Sequence, residues 1–145
     1  MADDEPKIQL GPFRFRPASV EVPGRPPLPQ WKGPLEFALW CQRASPWWIG
    51  DMINAGESLF GEEFGEVCGS TLSTEMVSRY ASVARRVPPE NRRPALSWSA
   101  HAAVARLSPA DQRRLLAAAE REGWNSDDLH KKVREFVAAQ EDKQN

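Results

Sequence analysis

No stretch of the 145-residue chain approaches the roughly eighteen consecutive apolar residues that a membrane span requires, so no membrane partner is expected. The N-terminal residues MADDEPK have no apolar core of a secretory signal. Cysteine is scarce. Cys41 and Cys68 form no CxxC pair and no Cys/His cluster, which argues against a zinc site. Both sit in apolar helical patterns and read as buried small hydrophobes in a reducing compartment. There is no phosphate-binding GxxxxGK[ST] loop, no GxGxxG, no HExxH and no GxSxG elbow. The expectation is a soluble cytoplasmic protein that is not an enzyme and carries no cofactor or metal.

Net charge is nearly absent too, at −1, which disfavours an indiscriminate polyanion binder. The charges that are present are segregated. Residues 35–70 hold one arginine against six acids, a net −5. Residues 71–107 hold six arginines against two glutamates, a net +4. Arginine presents a planar fork of donors that suits phosphates and guanine edges.

Proline is concentrated, with eight of the thirteen in residues 1–34. Each removes a backbone donor and disfavours helix at the residue before it, so the segment reads as an extended arm, partly disordered, over residues 1–33. A short strand is expected at Phe13 to Arg16, and Phe13 and Trp31 suggest that part of the arm docks. The fold class expected is all-α: a small multi-helix domain over residues 34–140 with a helix-turn-helix, the proline-rich arm before it and a frayed tail at 141–145.

Helix punctuation is plain in the remainder. Pro34 opens a first helix; Ser45 followed by Pro46 is a cap and first-turn proline that starts a second, ended by Gly61. A short helix at 62–68 stops at Gly69. Ser73 caps a helix at 74–87, which Pro88 and Pro89 stop. Ser97, Ser108 and Ser126 cap three more.

The helix at 74–87 carries the functional reading. At 100° per residue, Met76, Val77, Tyr80, Val83, Ala84 and Val87 fall on one side, and Glu75, Ser78, Arg79, Ser82, Arg85 and Arg86 on the other. Small hydroxyls let a helix lie close to a groove floor, and arginines reach bases or phosphates. Preceded by a short helix and a turn, this is the layout of a recognition helix, with a turn about two residues longer than the strict motif. A solvated amphipathic face has the same pattern.

The stretch VSRYASVARRVPPENRR followed by LSWSAHAAVARLSPADQRRLLAAA resembles the DNA-binding region of the ParB and KorB partition proteins. The matching residues are Val77, Ser78 and Arg79, then Val87 and Pro88. Leu96, Ser97, His101 and Ala102 follow, then Leu107, Gln112, Leu115 and Leu116, with a last helix through Leu129 and Val133. The resemblance covers residues 60–137. It departs in a Leu-Ser to His-Ala spacing one residue longer, and in having no counterpart of the family's nucleotide-binding and dimerisation domains. It implies DNA binding, in plasmid or phage partition or in transcription regulation. The expected partner is double-stranded DNA, met by a homodimer on a palindrome. Ser78, Arg79, Ser82 and Arg86 lie nearest the bases, and Arg85, Arg92 and Arg93 clamp phosphates.

Other residues have blander readings. His101, with Ser97 and Ser99 near it, lacks the acid and oxyanion donors of a hydrolase and reads as a packing or capping histidine. His130 reads as solvent-facing. Glu62, Glu63 and Glu66 complement a helix dipole. Trp40, Trp47, Trp48, Trp98 and Trp124 read as core anchors; Trp98, close to Arg92 and Arg93, alone could be a stacking platform. The competing functional reading is an adaptor or inhibitor that binds a protein through the arm and the acidic patch at 35–70.

Overall fold

A computed structural model describes residues 6–144. The first five residues of the expected arm and Asn145 of the expected tail lie outside them. The chain is mostly helical, in two compact units that divide between Gln42 and Arg43.

The first unit departs from an all-α fold. Strands β1 (Ile8–Leu10), β2 (Phe13–Arg16) and β3 (Ser19–Glu21) make an antiparallel meander in the order β1-β2-β3. The strand expected at 13–16 is β2, and it has gained a neighbour on each side. Gly11, at φ 55°, supplies the left-handed residue in the first turn, which a side chain resists. Phe15 pairs with Ile8 on one side and Val20 on the other. Arg16 and Arg14 both pair with Glu21 across the sheet. Buried Phe13 meets the edge of Trp31 at 4.9 Å between ring centroids. Prolines fall in the turns and beyond the strands, where their missing amides cost no ladder bond.

Helix α1 (Lys32–Phe60) runs through the division between the units. Two helices were expected here, broken at Ser45-Pro46. One is observed, with Pro46 inside it. Proline withholds the amide that would bond the carbonyl of Gln42, so the helix lacks one internal bond at the residue where the units divide.

In the second unit, α2 (Glu62–Cys68) follows Gly61, whose φ of 58° ends α1. Its Phe64 ring lies against Gly56 of α1, in space that a Cβ there would occupy. A 3-10 turn (Gly69–Thr71) leads to the helix at 74–86, which begins under the Ser73 cap; Ser73 Oγ accepts from the Met76 amide at 3.1 Å. Its first part is a π-helical turn (Met76–Tyr80) and its second part is α3 (Ala81–Arg86). Gly50 of α1 lets this helix approach closely: a Cβ at Gly50 would strike the Tyr80 carbonyl and the Ala84 side chain.

Helices α4 (Trp98–Val104), α5 (Pro109–Glu122) and α6 (Ser126–Gln144) complete the unit. Ser97 and Ser108 cap α4 and α5 as expected. At α6 the cap is Asn125 rather than Ser126: Asn125 Oδ1 accepts from the Asp128 amide at 2.8 Å, and Asp128 returns the bond to the Asn125 amide. Helix α6 continues to Gln144, through the described part of the expected tail. The core packs Ala100, Ala103 and Val104 of α4 against Leu116 and Ala119 of α5 and Leu129 and Val133 of α6. A second cluster joins Val83 and Val87 to Trp98 and Ala105, with Trp47 and Tyr80 against it.

The small polar and aromatic residues do not all follow expectation. Cys41 and Cys68 are half-buried rather than buried. Trp98 is core, but Trp40 and Trp48 are exposed. No helix among the described residues is long and apolar enough to cross a membrane.

Candidate nucleic-acid interface

The polar face of the helix at 74–86 opens into a basic groove of about 650 Å³, built entirely within the second unit. Ser78, Arg79, Ser82 and Arg86 line one wall. Ser99 and Arg106, flanking the core face of α4, and Ser126, Asp127, His130 and Arg134 of α6 line the rest. Four arginines therefore face one carboxylate, that of Asp127. Four serine hydroxyls add donors and acceptors that reorient without changing charge. The π-helical turn lies where Ser78 and Arg79 enter the groove, and such turns recur at functional sites.

The arginines of the groove are not equivalent. Arg79 is held: it bonds Glu75 at 3.3 Å, and its guanidinium lies 5.0 Å from the centre of the Trp98 ring. Arg86, Arg106 and Arg134 are exposed and form no ion pair among the described residues. Their charge is free to meet an external anion.

The other three arginines named from sequence go elsewhere. Arg85 turns to α1 and donates to Asn54 Oδ1 at 3.3 Å; Asn54 in turn donates to the Ala81 carbonyl. Arg92 is drawn inward to 14% exposure of its side chain. It makes a two-pronged pair with Asp51 at 2.8 and 3.0 Å, bonds the carbonyls of Ala84 and Val87 at 2.9 Å each, and stacks 4.2 Å from the centre of the Trp47 ring. It caps the end of the helix that α3 completes, satisfying carbonyls that helix geometry leaves over. Arg93 pairs with Glu120. Of the three arginines expected to clamp phosphates, Arg92 is thus taken up by the protein's own carbonyls and the Asp51 carboxylate, while Arg85 is exposed and Arg93 partly exposed, each with a partner of its own. Nor does Trp98 make a stacking platform with Arg92 and Arg93, since it is 8% exposed and lies beneath Arg79.

A buried polar network holds the same end of the helix. Gln112, fully buried, donates to the carbonyls of Arg86, Ala105 and Leu107 at 3.0–3.3 Å and accepts from Asn91 at 3.0 Å. One side chain so ties the last turn before Val87 to the loop between α4 and α5. His101 is buried with both ring nitrogens engaged: Nδ1 faces the Ser97 carbonyl at 2.7 Å and Nε2 accepts the Arg93 amide at 2.9 Å. That geometry fixes a neutral ring with its proton on Nδ1. Burial first, then the charges of Arg92 and Arg93, hold its pKa below the usual value, against the opposing Ser97 bond. A ring with both nitrogens bound to main chain has no site for a hydrolase's general base. His130, as expected, is exposed, and it faces the groove.

Sequence reasoning chose Ser78, Arg79, Ser82 and Arg86, and these do share one wall. It passed over Arg106 and Arg134. Arg106 lay in the counted basic block, one residue beyond the α4 apolar pattern. Arg134 gave no signal, because its helix carries charges of both signs and only the packing of α6 on α4 brings it to the groove.

The chain is 32% identical over 118 residues to the transcriptional regulator NovE of Streptomyces niveus. The similarity covers 74% of this chain and 54% of that protein, so the chain spans about half the length of the curated relative it matches. No protein family matches the chain, and no solved structure matches it either.

Proposed function

We propose that this protein binds double-stranded DNA and regulates transcription, acting by binding rather than by catalysis. The observation that carries the reading is the groove in which the hydroxyls and arginines of the 74–86 helix gather with further arginines free of ion pairs. The regulator name of the similar Streptomyces protein supports it and favours transcription over partition. The ParB- and KorB-like pattern at 60–137 supports a helix-turn-helix made of α2 and the helix at 74–86, joined through the 3-10 turn at Gly69–Thr71.

In this reading the 74–86 helix enters the major groove. Ser78 and Ser82 permit close approach, and Arg79 and Arg86 reach base edges, each good bidentate pairing contributing about 1–3 kcal/mol of discrimination. Arg79, pre-positioned by Glu75 and Trp98, loses little freedom on binding. A homodimer would double the footprint on a palindromic site. The test is a mobility shift with mixed-sequence duplex at low salt. Wild-type protein retards the duplex at a lower concentration than Arg79→Ala/Arg86→Ala does; equal retardation by both removes the helix from the interface.

A second reading, an adaptor that binds protein, is favoured by exposed apolar side chains. Met52, Leu59 and Val67 of α1 and α2 are 72–74% exposed, within the sequence span 35–70 that is rich in acids. In the first unit, Phe13, Phe15, Val20 and Trp31 are among the apolar residues around a hollow of about 320 Å³. An adaptor of this kind retains partner binding in the Arg79→Ala/Arg86→Ala protein and loses it on Met52→Glu/Leu59→Glu, which pull-down with each variant distinguishes.

A further inference from the structure

The wall facing the 74–86 helix has no role in the recognition reading, yet it too carries two arginines. Arg106, just past α4, and Arg134, on α6, come from different elements, and both reach the same cavity as Arg86. None of the three has an ion-pair partner among the described residues. Three exposed arginines from three elements around one cavity repel one another, an arrangement that an anion stabilises.

We infer that Arg106 and Arg134, across the groove from Arg86, form a phosphate site that grips the backbone of one DNA strand, and that Asp127 limits its strength. The inference rests on the DNA-binding reading. The chemistry recognised is the phosphate oxyanion, which a guanidinium meets with paired donors. Asp127, the one carboxylate lining the groove, opposes the anion. It lies in the first turn of α6, where a carboxylate also complements the helix dipole. The arrangement therefore gives a grip moderated from within, and its sign can be changed in both directions by substitution.

The experiment measures affinity for a mixed-sequence duplex as a function of salt, for wild type, Arg106→Ala/Arg134→Ala and Asp127→Asn. Each phosphate contact adds about 0.9 to the slope of log affinity against log salt, so the double variant has a slope shallower by about 1.8. Its preferred DNA sequence is unchanged. Asp127→Asn binds about two- to fivefold more tightly, a gain that a misfolded variant cannot mimic. An unchanged slope in the double variant overturns the inference while leaving the DNA reading intact. Titration with tripolyphosphate separates the sources. If wild type binds no duplex but binds tripolyphosphate, and the double variant binds it at least about tenfold more weakly, the phosphate site stands and its ligand is a free phosphate compound. If wild type binds neither, both readings fail.

Discussion

Two sets of arginines flank the last turn of the 74–86 helix, and they have opposite fates. Behind the turn, Arg92 is stacked on Trp47, paired with Asp51 and bonded to two carbonyls, while Arg93 is paired with Glu120. In front of it, Arg86, Arg106 and Arg134 line an open groove with no ion pair among the described residues. The residue type is the same. What differs is whether the fold supplies an acceptor. An arginine drawn inward with most of its donors met, as Arg92 is, belongs to the scaffold; one that stays exposed with donors unmet is available to a ligand. Arg92 holds the end of the helix that presents Arg86.

The comparison is broken most severely by removing what holds the helix end. Gln112→Leu removes the hydrogen bonds that the carbonyls of Arg86, Ala105 and Leu107 accept and the one that Asn91 Nδ2 donates to Gln112, at a fully buried position. A loss of about 3 kcal/mol is expected in urea unfolding, since each stranded buried group costs about 1–3 kcal/mol and relaxation recovers part. Arg92→Met keeps some of the stacking on Trp47 but strands two carbonyls. About 2 kcal/mol is expected, reduced from a fully buried pair because Asp51 is half exposed.

Acid tests the same scaffold more gently. Because the pKa of His101 is lowered in the folded protein, the unfolded chain takes up a proton first as pH falls. The stability from a neutral His101 is complete above the ordinary value of 6.5. It declines as pH drops below 6.5 and stops declining once the folded-state pKa is passed. Urea midpoints at pH 7.5 and 5.5 should differ in wild type and differ less in His101→Gln. The groove set sharpens the contrast from the other side. Arg86→Ala should change stability by no more than about 0.5 kcal/mol, as for an exposed side chain without partners, while weakening duplex binding. A stability loss like that of Arg92→Met would erase the distinction between the two sets.

Local signals in the sequence were good guides to elements and poor guides to assignments that depend on distant packing. The bounds of α2, the caps at Ser73, Ser97 and Ser108, and the wall formed by Ser78, Arg79, Ser82 and Arg86 follow from spacing alone. Strands β1 and β3 were missed because each is three residues long and lies among prolines and glycines, and a strand so short leaves no periodicity. Pro46 misled because a first-turn proline and a mid-helix proline look identical without the packing around them. Arg92 was assigned to phosphate because its acceptors, Asp51 and the Ala84 and Val87 carbonyls, meet it only after α1 and the 74–86 helix pack together through Gly50. Arg134 was missed for the converse reason: long-range packing brings it to the groove from a helix without a basic face.

The most direct test of the groove as a DNA-reading surface is selection from a randomised duplex pool at low and moderate salt, with wild type and Arg79→Ala/Arg86→Ala in parallel. The account predicts that wild type enriches a defined motif, with half-sites if it dimerises, and that the variant enriches none. Absence of binding by wild type even at low salt, or enrichment of the same motif by the variant, would contradict it.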